Sequence, residues 1–307
     1  MLMSATLAIS VIVCTYNRDE CIGDALASLA KQTLPYTDYE VLLVNNNSTD
    51  RTAEICEHFG GNVQGFQYRY FVETRQGLSY ARNRGIDESR GEILVFMDDD
   101  AVAEPDYLQN LWQFFSKTPD AAACGGRIYP NFETNRPRWM SKYLVPLTSS
   151  IDWGDSVKLF TGRSYPIGAN MAFKRSVFAQ CGGFNTSLGR VGKNLAGAEE
   201  KDLFYRITEQ GGKVYYVPDA VVHHYVPDSR LTFQFFKKQS LGIGQSERVR
   251  ALSISKREYR SSVFRELAKW AASGILFFFY LISLRPAKAW RLLVFRWYVS
   301  KGLFANR

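Results

Sequence analysis

Asp98, Asp99 and Asp100 stand together at the end of the apolar run EILVFM, residues 92–97, where three neighbouring carboxylates repel one another and add nothing to a core. A divalent cation removes that repulsion, since Mg²⁺ typically takes one or two carboxylates and fills its shell with water and phosphate oxygens. Alternate side chains of an extended chain share a direction, so Asp98 and Asp100 can face one way and Asp99 the other. A solvated acidic turn is the other reading, and these residues alone leave both open. A second acidic group, Glu199-Glu200-Lys201-Asp202, begins a helical stretch that ends at Gly211-Gly212. Glu199 and Asp202, three apart, share a helix face. The group is either an acid–base centre or a first turn favoured by the helix dipole. His223-His224 ends a short apolar strand, and neighbours on a strand point oppositely, so the two rings face different sides.

The elements that must position these groups read as an alternation of strands and helices. Ala8–Cys14, Tyr39–Val44, Gln67–Val72 and Glu92–Met97 are short apolar runs. Helical stretches lie between them at about residues 20–31, 50–59 and 78–88. This pattern predicts an α/β fold with a mixed, mostly parallel central sheet flanked by helices. Right-handed crossovers put the carboxyl ends of the parallel strands along one edge, where ligands of open α/β sheets bind. Thr15-Tyr16-Asn17, Asn45-Asn46-Asn47 and Asp98–Asp100 all fall at such ends. Each alone is an ordinary turn; three in register make a site. Further strands are expected at Gly125–Tyr129, Met171–Lys174, Lys213–Val217 and Ala220–His223, with a helix over Glu199–Gln210.

The chain has 307 residues and a net charge of +8, distributed unevenly. From Ser229 to Arg307 there are 16 Lys or Arg against 3 Glu, which leaves the remainder acidic. Two domains are expected, a catalytic one over 1–228 and a basic, aromatic, helical C-terminal region over 229–307. Trp270–Leu284 is a 15-residue uncharged run. It is too short to span a bilayer, yet with flanking Arg, Lys and aromatic residues it suits an anionic membrane surface. Packing on the catalytic domain or a homodimer contact is the alternative. No nucleic-acid motif accompanies the charge, so no nucleic-acid partner is expected. Five scattered cysteines without a C-x-x-C indicate a reducing, cytoplasmic setting. The apolar N-terminus lacks a basic leader region and is expected to be a first strand rather than a signal.

The motifs, in order, resemble one family. SVIVCTYNR, LLVNNNSTD, GLSYARNRGI, FMDDD, PIGANMAF, GGFN, GAEEKDL and VVHHYVP follow the sequence of signatures in the family 2 inverting glycosyltransferases, and the resemblance covers roughly residues 8–228. It implies the GT-A fold, here with a C-terminal helical extension, a nucleotide-diphospho-sugar donor (a UDP-sugar first), and a divalent cation, Mg²⁺ or Mn²⁺. It implies nucleotide contacts from Thr15, Tyr16, Asn17, Asn45, Arg82, Asn83, Asp98 and Asp99. Asp100 and His224 would bind metal, and Gly168-Ala169-Asn170-Met171 would lie between donor sugar and acceptor. The family commonly has Glu-Asp where this chain has Glu199-Glu200, so the general base would be Glu200, with Glu199 and Asp202 orienting the site. Many members carry Asp where this chain has Asn45, which loosens the reading of the base.

The acceptor implied is a hydroxyl of a saccharide or lipid-linked saccharide, in cell-surface polysaccharide synthesis on the inner face of the membrane. The alternative from another class is a catalytically silent nucleotide-sugar-binding scaffold. A sugar-nucleotide pyrophosphorylase would need a Gly-rich loop after the first strand, yet the first glycine there is Gly23. A Rossmann dehydrogenase would need G-x-G-x-x-G after an early strand, which is absent.

Overall fold

A computed structural model describes residues 7–62, 65, 67–162, 164–189 and 199–305. Residues 190–198, which include the start of the GAEEKDL motif, lie outside the described residues, as do residues 1–6 ahead of the expected first strand. The chain divides into two compact units. One comprises the residues up to Tyr129 with Ile151–Tyr225; the other comprises Pro130–Ser150 with Val226–Arg307.

In the first unit the strands are β1 (Ile9–Thr15), β2 (Tyr39–Asn45), β3 (Gln67–Val72), β4 (Ile93–Asp98), β5 (Ala101–Ala103), β6 (Ala121–Phe132), β7 (Lys158–Leu159), β8 (Met171–Lys174) and β9 (Lys213–Val226), β6 and β9 each crossing the unit boundary at their ends. The helices are α1 (Ile22–Leu29), α2 (Thr52–Asn62), α3 (Leu78–Glu88), α4 (Tyr107–Lys117), α5 (Arg175–Cys181) and α6 (Glu199–Glu209). The sheet order is β3-β2-β1-β4-β8-β6-β9-β5, with β7 paired to β9. β3, β2, β1 and β4 are parallel, and β8 joins β4 antiparallel. Continuous apolar sequence in β1, β2 and β4 follows from burial on both faces, with α3 against β1 and β2.

Register does the positioning. Thr15 pairs with Asn45 and Cys14 with Asp98, which aligns three strand ends. Beyond the Asp triplet, β5 runs antiparallel to β9 with Ala101 opposite His224, and Tyr225 N donates to Asp100 O at 2.8 Å. β9 is one 14-residue strand where the sequence reading expects two. Pro218 does not break it, because it lies between the β7 ladder at Tyr215–Tyr216 and the β5 ladder at Val222–His224.

The second unit is helical: α7 (Phe233–Ile254), α8 (Lys256–Ile282) and α9 (Pro286–Phe304). Thr232 caps α7 by accepting from Phe235 N, Ser255 caps α8 by accepting from Glu258 N, and Pro286 starts α9 where no N–H is needed. Its core contains Met140, Leu144, Phe236, Leu292, Phe295 and Val299, so the 130–150 segment packs with these helices. Among the described residues, no helix is long and apolar enough to cross a membrane.

Candidate active site

Asp98, Asp100 and His224 each offer a ligand atom within 4.8 Å of the others. His224 Nε2 stands 3.1 Å from Asp100 Oδ1, both side chains buried. The His224 Nδ1 is buried and meets no hydrogen-bond partner among the described residues. Two carboxylates and an imidazole are a donor set that suits Mg²⁺ or Mn²⁺. His223 points the other way, its Nε2 3.0 Å from Glu104 Oε1 at the surface. Asp99 is buried, and its carboxyl is pushed up to about 7 by that burial and by neighbouring Asp100, against the opposing pull of Arg18 and the Thr15 hydroxyl.

Arg18 is the residue the sequence reading passed over. Its Nε lies 3.4 Å from Asp99 Oδ1 and its Nη2 3.5 Å from Asp100 Oδ2. The Asn17-Arg18 step sets it there: Asn17 adopts φ 53°, and Arg18 N donates to Thr52 Oγ1 at 2.8 Å. An arginine directly after a strand-end cluster, facing a known acidic triplet, was the available signal.

Arg82 is buried on α3 and joins the two acidic groups. Its Nη1 is 3.0 Å from Glu199 Oε1, its Nη2 3.0 Å from Glu200 Oε1 and 3.8 Å from Asp98 Oδ1. Burial works against its charge, but Glu200, Glu199 and Asp98 hold the guanidinium protonated above its usual range. Burial raises the Glu200 carboxyl, Arg82 pulls it back, and Glu199 and Asp98 raise it further. Gly168 closes the pocket from the other side. A Cβ there would lie 2.1 Å from Glu200 Oε1 and 2.3 Å from Arg82 Nη2, so any side chain would have to displace one of these two groups.

The nucleotide-side candidates lie at the same sheet edge. Thr15 is buried, Tyr16 half-buried and Asn17 exposed. Asn45 donates to Tyr70 OH at 2.8 Å and accepts from Ser48 N at 2.9 Å, so its amide is already oriented by the protein.

Other expected site residues are directed elsewhere. Asn83 donates to Phe184 O and accepts from Phe184 N, each at 2.8 Å. That clamp fixes Phe184, whose ring lies 5.1 Å below the Arg82 guanidinium. Asn170 donates to Arg127 O on β6 and Ala220 O on β9 and accepts from Tyr107 OH on α4. Ala169 and Met171 are core residues, which leaves Gly168 as the member of that loop at the acids. Asp202 pairs with Arg206 one turn on, at 2.8 Å, away from Glu200's partners.

A mixed α/β sheet thus carries a carboxylate–imidazole set at its strand ends with a second acid group beside it. The model of glycosyl transferase family 2 matches residues 10–182, and the chain belongs to that family. It is therefore a glycosyltransferase. The matched stretch includes Asp98–Asp100 and Gly168 but ends before Glu200 and His224. The chain is similar to the glucosyl-dolichyl phosphate glucuronosyltransferase of Haloferax volcanii, 31% identical over 246 residues that cover 79% of this chain and 77% of that protein. It is similar too to the succinoglycan biosynthesis protein ExoM of Rhizobium meliloti, 29% identical over 78% of this chain and 74% of that one. Among solved structures, the mannosyltransferase PcManGT from Pyrobaculum calidifontis, in complex with GDP-Man and Mn2+, superimposes with a TM-score of 0.66 at 22% identity, covering 97% of this chain and 88% of that one. The fold is GT-A.

Proposed function

We propose that this glycosyltransferase moves a sugar from a nucleotide-diphospho-sugar, a UDP-sugar first, to a hydroxyl of a saccharide or lipid-linked saccharide, with inversion at the anomeric carbon. The reading is carried by one observation: Arg82 ties Glu200, the candidate base, to the same sheet edge as the Asp98–Asp100–His224 donor set. A scaffold that only bound a nucleotide sugar would have no use for a part-exposed carboxylate, Glu200, charge-balanced there by a buried arginine.

In this reading Asp100 and His224 hold a divalent cation, with Asp98 directed toward the nucleotide. When bound, the ion offsets the negative charge of the diphosphate leaving group. Thr15, Tyr16, Asn17 and Asn45 border the base and ribose, and Asp99 with Arg18 completes the phosphate side. Glu200 accepts the proton of the acceptor hydroxyl as its oxygen forms a bond to the anomeric carbon. The bond from that carbon to the diphosphate oxygen breaks on the opposite face, so the configuration inverts. Arg82 and Glu199 position Glu200, and Gly168 leaves room for the sugar and acceptor to approach it.

The two relatives' names supply the acceptor classes: one acts in dolichyl phosphate glycosylation and the other in succinoglycan biosynthesis. For this chain we infer cell-surface polysaccharide synthesis at the inner face of an anionic membrane, a reading those names support, with the basic C-terminal region as the membrane contact. Glu200→Gln separates the enzyme from the scaffold. It is expected to bind donor normally and lose transfer, and undiminished transfer would remove Glu200 from its role.

A further inference from the structure

The connection between α8 and α9 closes as a Schellman turn. Arg285 N donates to Tyr280 O at 2.8 Å and Leu284 N to Leu281 O at 3.0 Å. Leu284 occupies the left-handed position of this turn, at φ 54°. Glycine is usual there because a Cβ crowds the neighbouring carbonyl. The leucine side chain does not recover that strain by packing, because Leu284 is 88% exposed.

The exposed leucine has apolar company. Ile275, Phe278, Phe279 and Ile282 recur at the spacing of one helix face, and Ile275 is 73%, Phe278 65% and Ile282 84% exposed. Across the turn, Trp290 is 66% exposed while its ring lies 6.0 Å from that of Phe277. Single exposed apolar residues are ordinary, whereas a contiguous group at one hairpin end marks a contact surface. Charge selects the partner. After Glu266 the chain has seven Lys or Arg and no Asp or Glu. A second copy would bring this cationic region against itself, as a two-fold contact requires. An anionic bilayer attracts it.

We propose that the end of the α8–α9 hairpin enters the lipid. Ile275, Phe278, Ile282, Leu284 and Trp290 penetrate the boundary between headgroups and acyl chains, while Arg285 and Lys288 meet headgroup phosphates. The proposal rests on the reading that this enzyme works at an anionic membrane surface, and it replaces a purely electrostatic contact with insertion. None of the described helices spans a bilayer, so the hairpin enters one leaflet without crossing.

The test uses the full chain and vesicles of phosphatidylglycerol with phosphatidylcholine, or of phosphatidylcholine alone, at low and high salt. Wild type is expected to co-sediment with the anionic vesicles and to be partly retained at high salt. Leu284→Gly relieves the left-handed strain, so its Tm is expected to hold or rise while partitioning weakens about tenfold. The double variant Phe278→Ser/Ile282→Ser, both positions solvent-facing in the free protein, is expected to weaken it about a hundredfold. Equal binding of wild type and both variants, released completely by salt, overturns insertion and leaves the electrostatic membrane contact standing. Failure of wild type to bind any vesicle overturns both. A concentration-dependent dimer that the variants dissolve also overturns both and assigns the face to a second copy.

Discussion

The Nη2 of Arg82 and the Oε1 of Glu200 stand 3.0 Å apart, and the same guanidinium reaches Glu199 at 3.0 Å and Asp98 at 3.8 Å. One buried cation therefore balances the proposed base and touches the proposed metal side. Phe184, held by Asn83, supports the guanidinium from below. The side chains of the two acidic motifs, a hundred residues apart in sequence, meet through it.

Gly168→Ala tests the space around that pair. The new Cβ would overlap Glu200 Oε1 and Arg82 Nη2, so one of them must move. Displacing a catalytic group by about 1 Å costs on the order of 100-fold in rate. The expected result is such a loss in kcat with the Tm little changed, measured by steady-state transfer and thermal unfolding. Wild-type kcat would mean the pair is not catalytic.

Arg82→Met tests the electrostatics. Burial raises the Glu200 carboxyl and Arg82 lowers it, so removing Arg82 raises it further. A base works deprotonated, so activity is full above this folded-state pKa and falls as pH drops through it. The acid limb of kcat/KM is therefore expected to move to higher pH in the variant. Breaking a buried ion pair also destabilises by about 3–5 kcal/mol. A carboxyl raised on folding favours the folded state below its unfolded pKa and loses that contribution as pH rises through the folded value. The stability loss is expected to be smallest in acid and to grow toward neutral pH. Superimposable wild-type and variant pH profiles would contradict the assignment.

The two histidines separate metal binding from surface chemistry. His224→Ala is expected to weaken Mn²⁺ binding by at least the roughly 10–100-fold that even an outer partner of a metal ligand contributes. His223→Ala, which removes the contacts to Glu104 and the Tyr129 ring, is expected to leave it unchanged. Calorimetric titration of Mn²⁺ into each variant reads this directly, and equal affinities would refute the ligand set.

Much of this arrangement was legible in the sequence because it depends on strand periodicity. Three polar clusters at strand ends, and two adjacent histidines facing opposite ways, follow from a period of two and a parallel register. Side-chain partners remote in sequence are a different matter. Nothing near Asn83 or Asn170 announces that Phe184, or Arg127 and Ala220, will occupy their amides. Those positions carry family motifs yet hold the scaffold. Asp202 was more readable, since Arg206 lies one helical turn away. The exposed turn at Leu284 was not: the uncharged run suggested a helix lying along a surface, and only the backbone sign at Leu284 exposes the hairpin end.

The central claim is that Glu200 removes the acceptor proton, and Glu200→Gln tests it most directly. Donor affinity and transfer rate are measured on the same preparation, with Mn²⁺ and a UDP-sugar. The account predicts an unchanged donor Kd with kcat lower by about 10²–10⁴-fold, the usual contribution of a positioned base. Transfer at the wild-type rate, or a loss of donor binding that accounts for the whole effect, would contradict it.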